Sequence, residues 1–193
     1  MSILPIVTYN DPVLREKAAP ITEDSPGLQR LIDDMFETMY NGQGVGLAAP
    51  QIGESLRLFV MDADPFTADE EGEEDLGPMV FINPEFSPVG EFKTATDEGC
   101  LSIPGVRESV TRPETIRVKW LDRELKPHEK TFSGWPGRVI QHEYDHIEGV
   151  LFIDYLGSFR KRLLRSRLNM VESGEVDAGY PVRPKRAAEA DKG

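Results

Sequence analysis

The chain has 193 residues, of which 39% are hydrophobic and 29% charged, a composition typical of one soluble globular domain with a sizeable core. It contains no apolar run long enough to span a bilayer, which argues against a membrane partner. The N-terminal residues do not resemble a secretory signal, and the one cysteine, Cys100, cannot form an internal disulfide. We therefore expect a cytoplasmic protein.

The net charge of −12 is unevenly distributed along the chain. Residues 158–193 contain nine Lys/Arg and five Asp/Glu, a balance of +4, which leaves −16 for residues 1–157. The basic segment FRKRLLRSR is either a solvated helix face or a contact surface for a polyanion. The acidic remainder disfavours nucleic-acid binding elsewhere, and we expect no specific DNA binding.

Helices and strands are predicted in an irregular order. A short helix at NDPVLREKA precedes a longer one that begins at Ser25, where apolar residues recur at helical spacing. Strands follow at LRLFVMD and PMVFINPEF, with the exposed acidic loop 63–77 between them. Three further strand-like segments, GEFKTATDEGCLSIPGVRESV, ETIRVKWLDREL and PHEKTFSG, precede two helices, at about 136–148 and 158–171.

The lack of regular alternation between strands and helices predicts an α+β fold rather than a doubly wound parallel sheet. We find no linker that divides the chain, so residues 1–171 are expected to form a single domain. Residues 172–193 have almost no apolar content and are predicted to be a disordered C-terminal tail.

The segment QHEYDHIEGVLF has the most specific chemical pattern. On a helix, His142 and His146 are one turn apart, so both imidazoles can bind one metal ion. Glu143 lies near the same face, where it can take a proton from a water that the ion activates. A chance match is on the order of one in a few hundred for a chain of this length, so the pattern predicts metal-assisted hydrolysis. The remaining histidine, His128, is expected on an exposed loop or strand.

A catalytic metal site needs a third protein ligand and one open position. The protease pattern HExxHxxGxxH continues to Gly149, but Phe152 replaces its third histidine and cannot bind a metal. A downstream glutamate would be Glu172 or Glu175, at a helix end or in the tail. Cys100, in DEGCLSIP, is the better candidate because a thiolate binds zinc or ferrous iron strongly, although a lone cysteine is more often a buried small residue.

The segment GVGLAAPQ, residues 44–51, forms a third motif. Its glycines would let an extended backbone approach a ligand closely, and Gln51 offers an amide donor. It lacks the spacing of a phosphate-binding loop. Taken alone, it does not distinguish a binding loop from a structural one.

Together, GVGLAAPQ, EGCLS and QHEYDH resemble the three signature motifs of the peptide deformylases, which remove the formyl group from N-formylmethionyl peptides. The resemblance extends from about Pro5 to the basic helix. It implies mostly antiparallel β-sheets around a central HExxH helix, with a C-terminal helix. A metallopeptidase and a noncatalytic metal-binding module are the alternatives.

The resemblance implies that Cys100, His142 and His146 hold the metal. Glu143 would act as general base and then as general acid. The family is known for Fe²⁺, so we expect iron in the cell, with Zn²⁺ or Ni²⁺ possible in a purified sample. In the family the C-terminal helix can dock on the ribosome near the nascent-chain exit, and the basic 158–171 helix fits that role.

By the same resemblance, the Gln51 side-chain amide and the Leu101 backbone N–H would stabilise negative charge on the formyl oxygen. The nascent peptide would lie extended along Val45 and Gly46 and reach toward Gly99, pairing like an added strand.

The methionine pocket implied by the resemblance includes Trp135 and Val139. Arg138, at a nearby matching position, is less apolar than expected for the pocket wall. Arg107 is expected to orient either the substrate or the glutamate of EGCLS, unless it forms an ordinary surface ion pair. Asp145 either orients a ligand or is an exposed carboxylate.

Overall fold

The computed structural model describes residues 2–64 and 76–184. The predicted acidic loop, residues 63–77, lies largely outside these described residues. The α-helices are Pro26–Asn41 (α1), Gly134–Ile147 (α2) and Ser158–Ser173 (α3). The strands are Ile6–Val7 (β1), Gly46–Ala48 (β2), Leu58–Met61 (β3), Met79–Pro88 (β4), Lys93–Cys100 (β5), Ile103–Pro113 (β6), Thr115–Leu121 (β7), Pro127–Ser133 (β8) and Val182–Arg183 (β9).

The strands form three sheets, two of which are antiparallel. One has five strands in the order β2-β3-β4-β7-β8, and the second is the β5-β6 pair. The third sheet pairs β1 with β9 in parallel. This arrangement of antiparallel sheets with helices confirms the predicted α+β fold.

Helix α2 lies between the sheets, against β2, β3, β7 and β8. Its buried residues Val139, Ile140 and Ile147 join one apolar cluster with the aromatic side chains of the five-stranded sheet. Gly149 ends the helix in the left-handed conformation, with φ of 75°. A Cβ at this position would lie 2.7 Å from the Arg15 carbonyl oxygen, so the close approach also requires glycine.

Phe152, at the position of the third protease histidine, is buried in a separate apolar cluster between β6 and α3. Its ring centroid is 5.9 Å from that of His142. Phe152 is therefore a core residue that packs near His142, the first histidine of α2.

The prediction of disorder from residue 172 is wrong as far as residue 184. Helix α3 continues to Ser173, and β9 pairs with β1 near the opposite end of the chain. The Tyr180 hydroxyl also donates to the Leu101 carbonyl oxygen at 2.8 Å. Long-range pairing, which composition does not reveal, orders this segment. Residues 185–193 lie outside the described part of the chain.

Among the helices that the structure describes, none has the length and apolar character needed to cross a membrane.

Candidate metal centre and substrate cleft

Cys100 and the two histidines of α2 meet at the end of β5. The ligand atoms of Cys100, His142 and His146 all lie within 4.8 Å of one another. Cys100 Sγ is 3.2 Å from His146 Nε2. A thiolate and two imidazoles suit a tetrahedral zinc or ferrous site, with a fourth position left for water or substrate. The predicted ligands therefore come together in a geometry that fits a single ion.

Glu98 fixes the orientation of His142. The two residues are joined by a 2.9 Å hydrogen bond between His142 Nδ1 and Glu98 Oε2, which leaves Nε2 for a metal. Because Glu98 precedes Cys100 by two residues on β5, strand alternation places both side chains on the same face. Glu98 is the first residue of the EGCLS motif, and its spacing from Cys100 is the sequence signal for this role.

Two buried arginines hold Glu98. Arg112 donates from Nε at 2.7 Å and from Nη2 at 2.9 Å, and Arg138 donates from Nη1 at 3.1 Å. Burial alone would raise the pKa of Glu98, but the hydrogen bonds from Arg112 and His142 outweigh it and lower the pKa to about 2. Glu98 is therefore a stable carboxylate.

The two nearby arginines, Arg107 and Arg138, both line the cleft but have different surroundings. Arg107, expected to orient either the substrate or this glutamate, is exposed and does not hold Glu98. Arg138 lies at the pocket wall as expected, but it is only 5% exposed and also donates to the Thr94 and Val110 carbonyl oxygens. These bonds explain how a charged side chain is tolerated at an otherwise apolar position.

Asp145 is linked to Glu98, and so to His142, through Arg112. Its Oδ2 accepts from Arg112 Nη1 at 2.7 Å, and its Oδ1 accepts from the Tyr155 hydroxyl at 3.1 Å. The Tyr155 ring also lies 4.8 Å from Arg112 Cζ. Of the two predicted alternatives, the exposed carboxylate is therefore wrong, and Asp145 belongs to the buried network behind His142.

Glu143 is buried beside the metal ligands. Burial raises its pKa to about 7. Its Oε2 is enclosed and has no hydrogen-bond partner among the described residues. A Cβ on Gly46 would lie only 2.5 Å from Glu143 Oε1, so the glycine allows the carboxylate to pack against β2. The carboxylate can therefore accept a proton from a molecule that enters the site.

Gln51 is held rigidly on the other side of Cys100. Its Oε1 accepts from the Ala48 backbone N–H at 2.8 Å, which fixes which end of the amide points inward. Its Nε2 lies 3.4 Å from both Cys100 Sγ and Ser102 Oγ. The neighbouring Leu101 is anchored through its carbonyl oxygen by Tyr180.

The metal ligands open into a cleft of about 480 Å³. All the predicted substrate residues line it: Val45, Gly46, Gly99, Arg107, Trp135 and Val139. The cleft runs between β2, an edge strand of the large sheet, and β5 of the small sheet. The lining also includes residues from the chain near and after the end of α3 that no sequence motif indicates, namely Arg167, Asp177, Ala178 and Tyr180.

Several peptide deformylases are similar to this chain. The family described as polypeptide deformylase matches residues 3–162. A peptide deformylase from Salinibacter ruber is 53% identical over 187 residues, covering 95% of each chain, and one from Christiangramia forsetii is 48% identical, covering 97% of this chain and 99% of its own. The crystal structure of a peptide deformylase from Legionella pneumophila has a TM-score of 0.79 at 41% identity, covering 90% of this chain and 98% of that chain.

The α+β fold and the Cys-His-His site with its buried carboxylate define a metallohydrolase. The chain belongs to the peptide deformylase family, whose members remove the formyl group from the N-terminal methionine of nascent peptides. The predictions of family, fold class and reaction are thus confirmed.

Proposed function

We propose that this chain deformylates nascent peptides with one ion, Fe²⁺ in the cell, held by Cys100, His142 and His146, and with Glu143 as the general base. The observation that supports the proposal most strongly is the convergence of three ligand atoms beside a buried carboxylate at one end of a cleft. When bound, the ion would supply Lewis-acid chemistry, lowering the pKa of a water and polarising the formyl carbonyl.

Glu143 moves the proton in this proposal. Its carboxylate takes a proton from the water whose oxygen attacks the formyl carbon, and the same proton passes to the methionine nitrogen as the C–N bond breaks. Formate and a free amino terminus are the products. The enclosed Oε2, which has no partner in the described chain, supports this role.

Gln51 and Leu101 stabilise the charge that develops on the formyl oxygen. The Gln51 amide is fixed by Ala48, so its Nε2 is preorganised toward the reacting group. The Leu101 backbone N–H is the second donor. A preorganised donor of this kind is typically worth about 10²- to 10³-fold in kcat.

The peptide binds as an added strand in the cleft. Strand β2 is at the edge of its sheet, so Val45 and Gly46 can pair with an extended chain that reaches toward Gly99. The methionine side chain lies against Trp135 and Val139, which line the same cleft.

The outer parts of the molecule complete the proposal. Residues 1–171 belong to one catalytic domain together with the segment that follows as far as residue 184, since β2, β5 and α2 contribute to the site and β9 pairs with β1. Arg107, exposed at the cleft, orients the substrate.

The exposed basic residues of α3, among them Lys161 and Arg162, dock on the ribosome, where the substrates emerge, so the protein acts in the cytoplasm.

Formate release from formyl-Met-Ala-Ser, with metal content measured under anaerobic conditions, tests the proposal. Wild type should release formate with one iron bound. Glu143→Ala should retain the ion and lose about 10²- to 10⁴-fold in kcat, because only proton transfer is removed. Cys100→Ala should lose the ion.

Two outcomes would contradict these assignments. Cys100→Ala that keeps both metal and activity would point to a different third ligand, as in a metallopeptidase. An iron-loaded wild type that releases no formate would refute the proposed reaction.

A further inference from the structure

Helix α3 presents one arginine to the cleft rather than to solvent. Leu168 and Val171 are buried against the body, so this helix is docked along part of its length. The Arg167 guanidinium passes directly over Gly105 of β6, in the space that a Cβ would occupy. Gly105 has φ of 73°, which also favours glycine. The glycine thus admits Arg167 to the cleft.

Arg167 has donor capacity that the described chain does not use. Its Nε is enclosed and has no hydrogen-bond partner among the described residues. A buried donor without an acceptor costs free energy, so an incoming acceptor gains an unusually favourable contact. Besides Glu98 and Glu143, two carboxylates line the same cleft, but Asp177 Oδ1 accepts from the Gly179 backbone N–H and Asp97 is exposed.

The chain after α3 fixes this wall of the cleft. Asp177, Ala178 and Tyr180 line it, and Tyr180 is tied to Leu101 by its hydroxyl. The β9 strand then pairs with β1, which anchors the segment at its far end. Arg167 therefore lies beside a wall of the cleft that is fixed by the Tyr180 hydrogen bond and by the pairing of β9 with β1.

The position of Arg167 along the cleft indicates what it meets. Gly105 follows Ile103, the β6 partner of Cys100, by two residues. Gly105 lies between Ile103 and Arg107, the β6 partners of Cys100 and Gly99, where the register of the two strands shifts. A peptide whose formyl group is at the metal ligands and whose chain extends toward Gly99 would thus bring a residue beyond the formylmethionine near Arg167.

We propose that Arg167 is a specificity residue that binds an oxygen acceptor of the peptide beyond formylmethionine, most strongly the carboxylate of an acidic side chain. The inference rests on the proposed deformylase function and adds a subsite to it. The guanidinium fork suits a carboxylate, and the contact is lost when the acceptor is replaced by a cation.

The test compares formyl-Met-Ala-Glu, formyl-Met-Ala-Gln and formyl-Met-Ala-Lys. Wild type should show the highest kcat/KM for the glutamate peptide and the lowest for the lysine peptide. Arg167→Gln should raise KM for the glutamate peptide by about tenfold, the worth of one charge-assisted hydrogen bond, and should remove the order of preference. Arg167→Lys should keep part of the preference, because it retains the charge but not the fork.

Arg30→Gln is the matched control, since it removes an exposed arginine of α1, and it should preserve the wild-type order. The inference is overturned if wild type hydrolyses the three peptides equally, or if Arg167→Gln lowers the unfolding temperature and leaves KM unchanged. If Arg167→Gln does not fold, Arg167→Lys provides the test. An Arg167→Lys protein that keeps the full wild-type preference for the glutamate peptide, although it lacks the guanidinium fork, would overturn the inference. A wild type that releases no formate from any peptide contradicts the proposed function instead.

Discussion

At the scale of single residues, the site depends on close approach between backbone and charged side chains. Gly46 lets Glu143 pack against β2, and Gly105 lets Arg167 pass over β6. Behind the ligands, Glu98 is enclosed by Arg112 and Arg138. The two glycines thus leave room for charged side chains in the cleft, and the arginines that bind Glu98 hold the reacting groups in place.

We predict that Gly46→Ala lowers kcat/KM by about 100-fold, because the new Cβ would displace the Glu143 carboxylate from its present position. Bound metal should remain, since the ligands lie elsewhere. Gly157→Ala is the control, since no atom lies within 4 Å of the Cβ it would add. Equal formate release by the Gly46→Ala and Gly157→Ala proteins would refute the prediction.

We further predict that Arg112→Met destabilises the fold by about 3–5 kcal/mol, because it leaves the Glu98 carboxylate buried with much of its charge compensation removed. Urea unfolding of the metal-free protein measures the change. Arg117→Met removes an exposed arginine of β7 and should change stability by less than about 1 kcal/mol. If the two variants unfold alike, the buried network is not a source of stability.

At the scale of elements, the helices and most strands could be predicted because their patterns are local. Apolar spacing identifies α1, and HExxH identifies α2. The two-residue strands β1 and β9 have no periodicity to detect, so their pairing could not be predicted. The partners of Glu98 could not be predicted either, because strand register and helix docking bring Arg112 and Arg138 to it from other elements.

We predict that a chain ended after Ser173 is less stable than one ended after Pro184 by about 2–4 kcal/mol. The shorter chain lacks β9, so Ile6 and Val7, now 1% and 0% exposed, lose part of their cover. Thermal and urea unfolding of the two truncated chains would measure the difference. Identical midpoints would mean that the β1-β9 pair does not contribute.

Glu148, at the end of α2, links that helix to Arg57 and Lys17. Burial raises its pKa, but the hydrogen bonds from Lys17 and Arg57 outweigh burial and lower it. A lowered folded-state pKa gives stability that is present above the unfolded value of about 4.3 and lost as pH falls through the folded value.

Glu148→Gln should therefore cost less than about 1 kcal/mol at pH 7, given partial exposure and solvent screening. The difference from wild type should shrink as the pH falls below the unfolded pKa, and it should also shrink in high salt. Urea midpoints of wild type and Glu148→Gln at several pH values would check this. A stability difference that grows toward low pH would contradict the prediction.

At the scale of the whole molecule, an acidic body bears a basic helix beside its cleft. The field around α3 attracts a polyanion, while the −16 charge of residues 1–157 repels one elsewhere. In the proposed docking on the ribosome, this asymmetry would orient the molecule without any contact from the catalytic groups.

We predict that Lys161→Glu with Arg162→Glu abolishes cosedimentation with ribosomes, and that wild-type binding weakens as salt is raised. The control is Arg117→Glu with Lys119→Glu, which makes the same charge change on exposed residues of β7. If both double variants lose binding equally, net charge rather than the helix determines association.

The parallel pair of β1 and β9 also governs the order in which the molecule is completed. Strand β1, at Ile6–Val7, is synthesised well before its partner, at Val182–Arg183. Contacts between such distant segments form late, after the chain between them has folded. In a copy still being translated, Cys100, His142 and His146 are therefore made before the wall of the cleft that includes Tyr180, so the metal ligands can meet before that wall is in place.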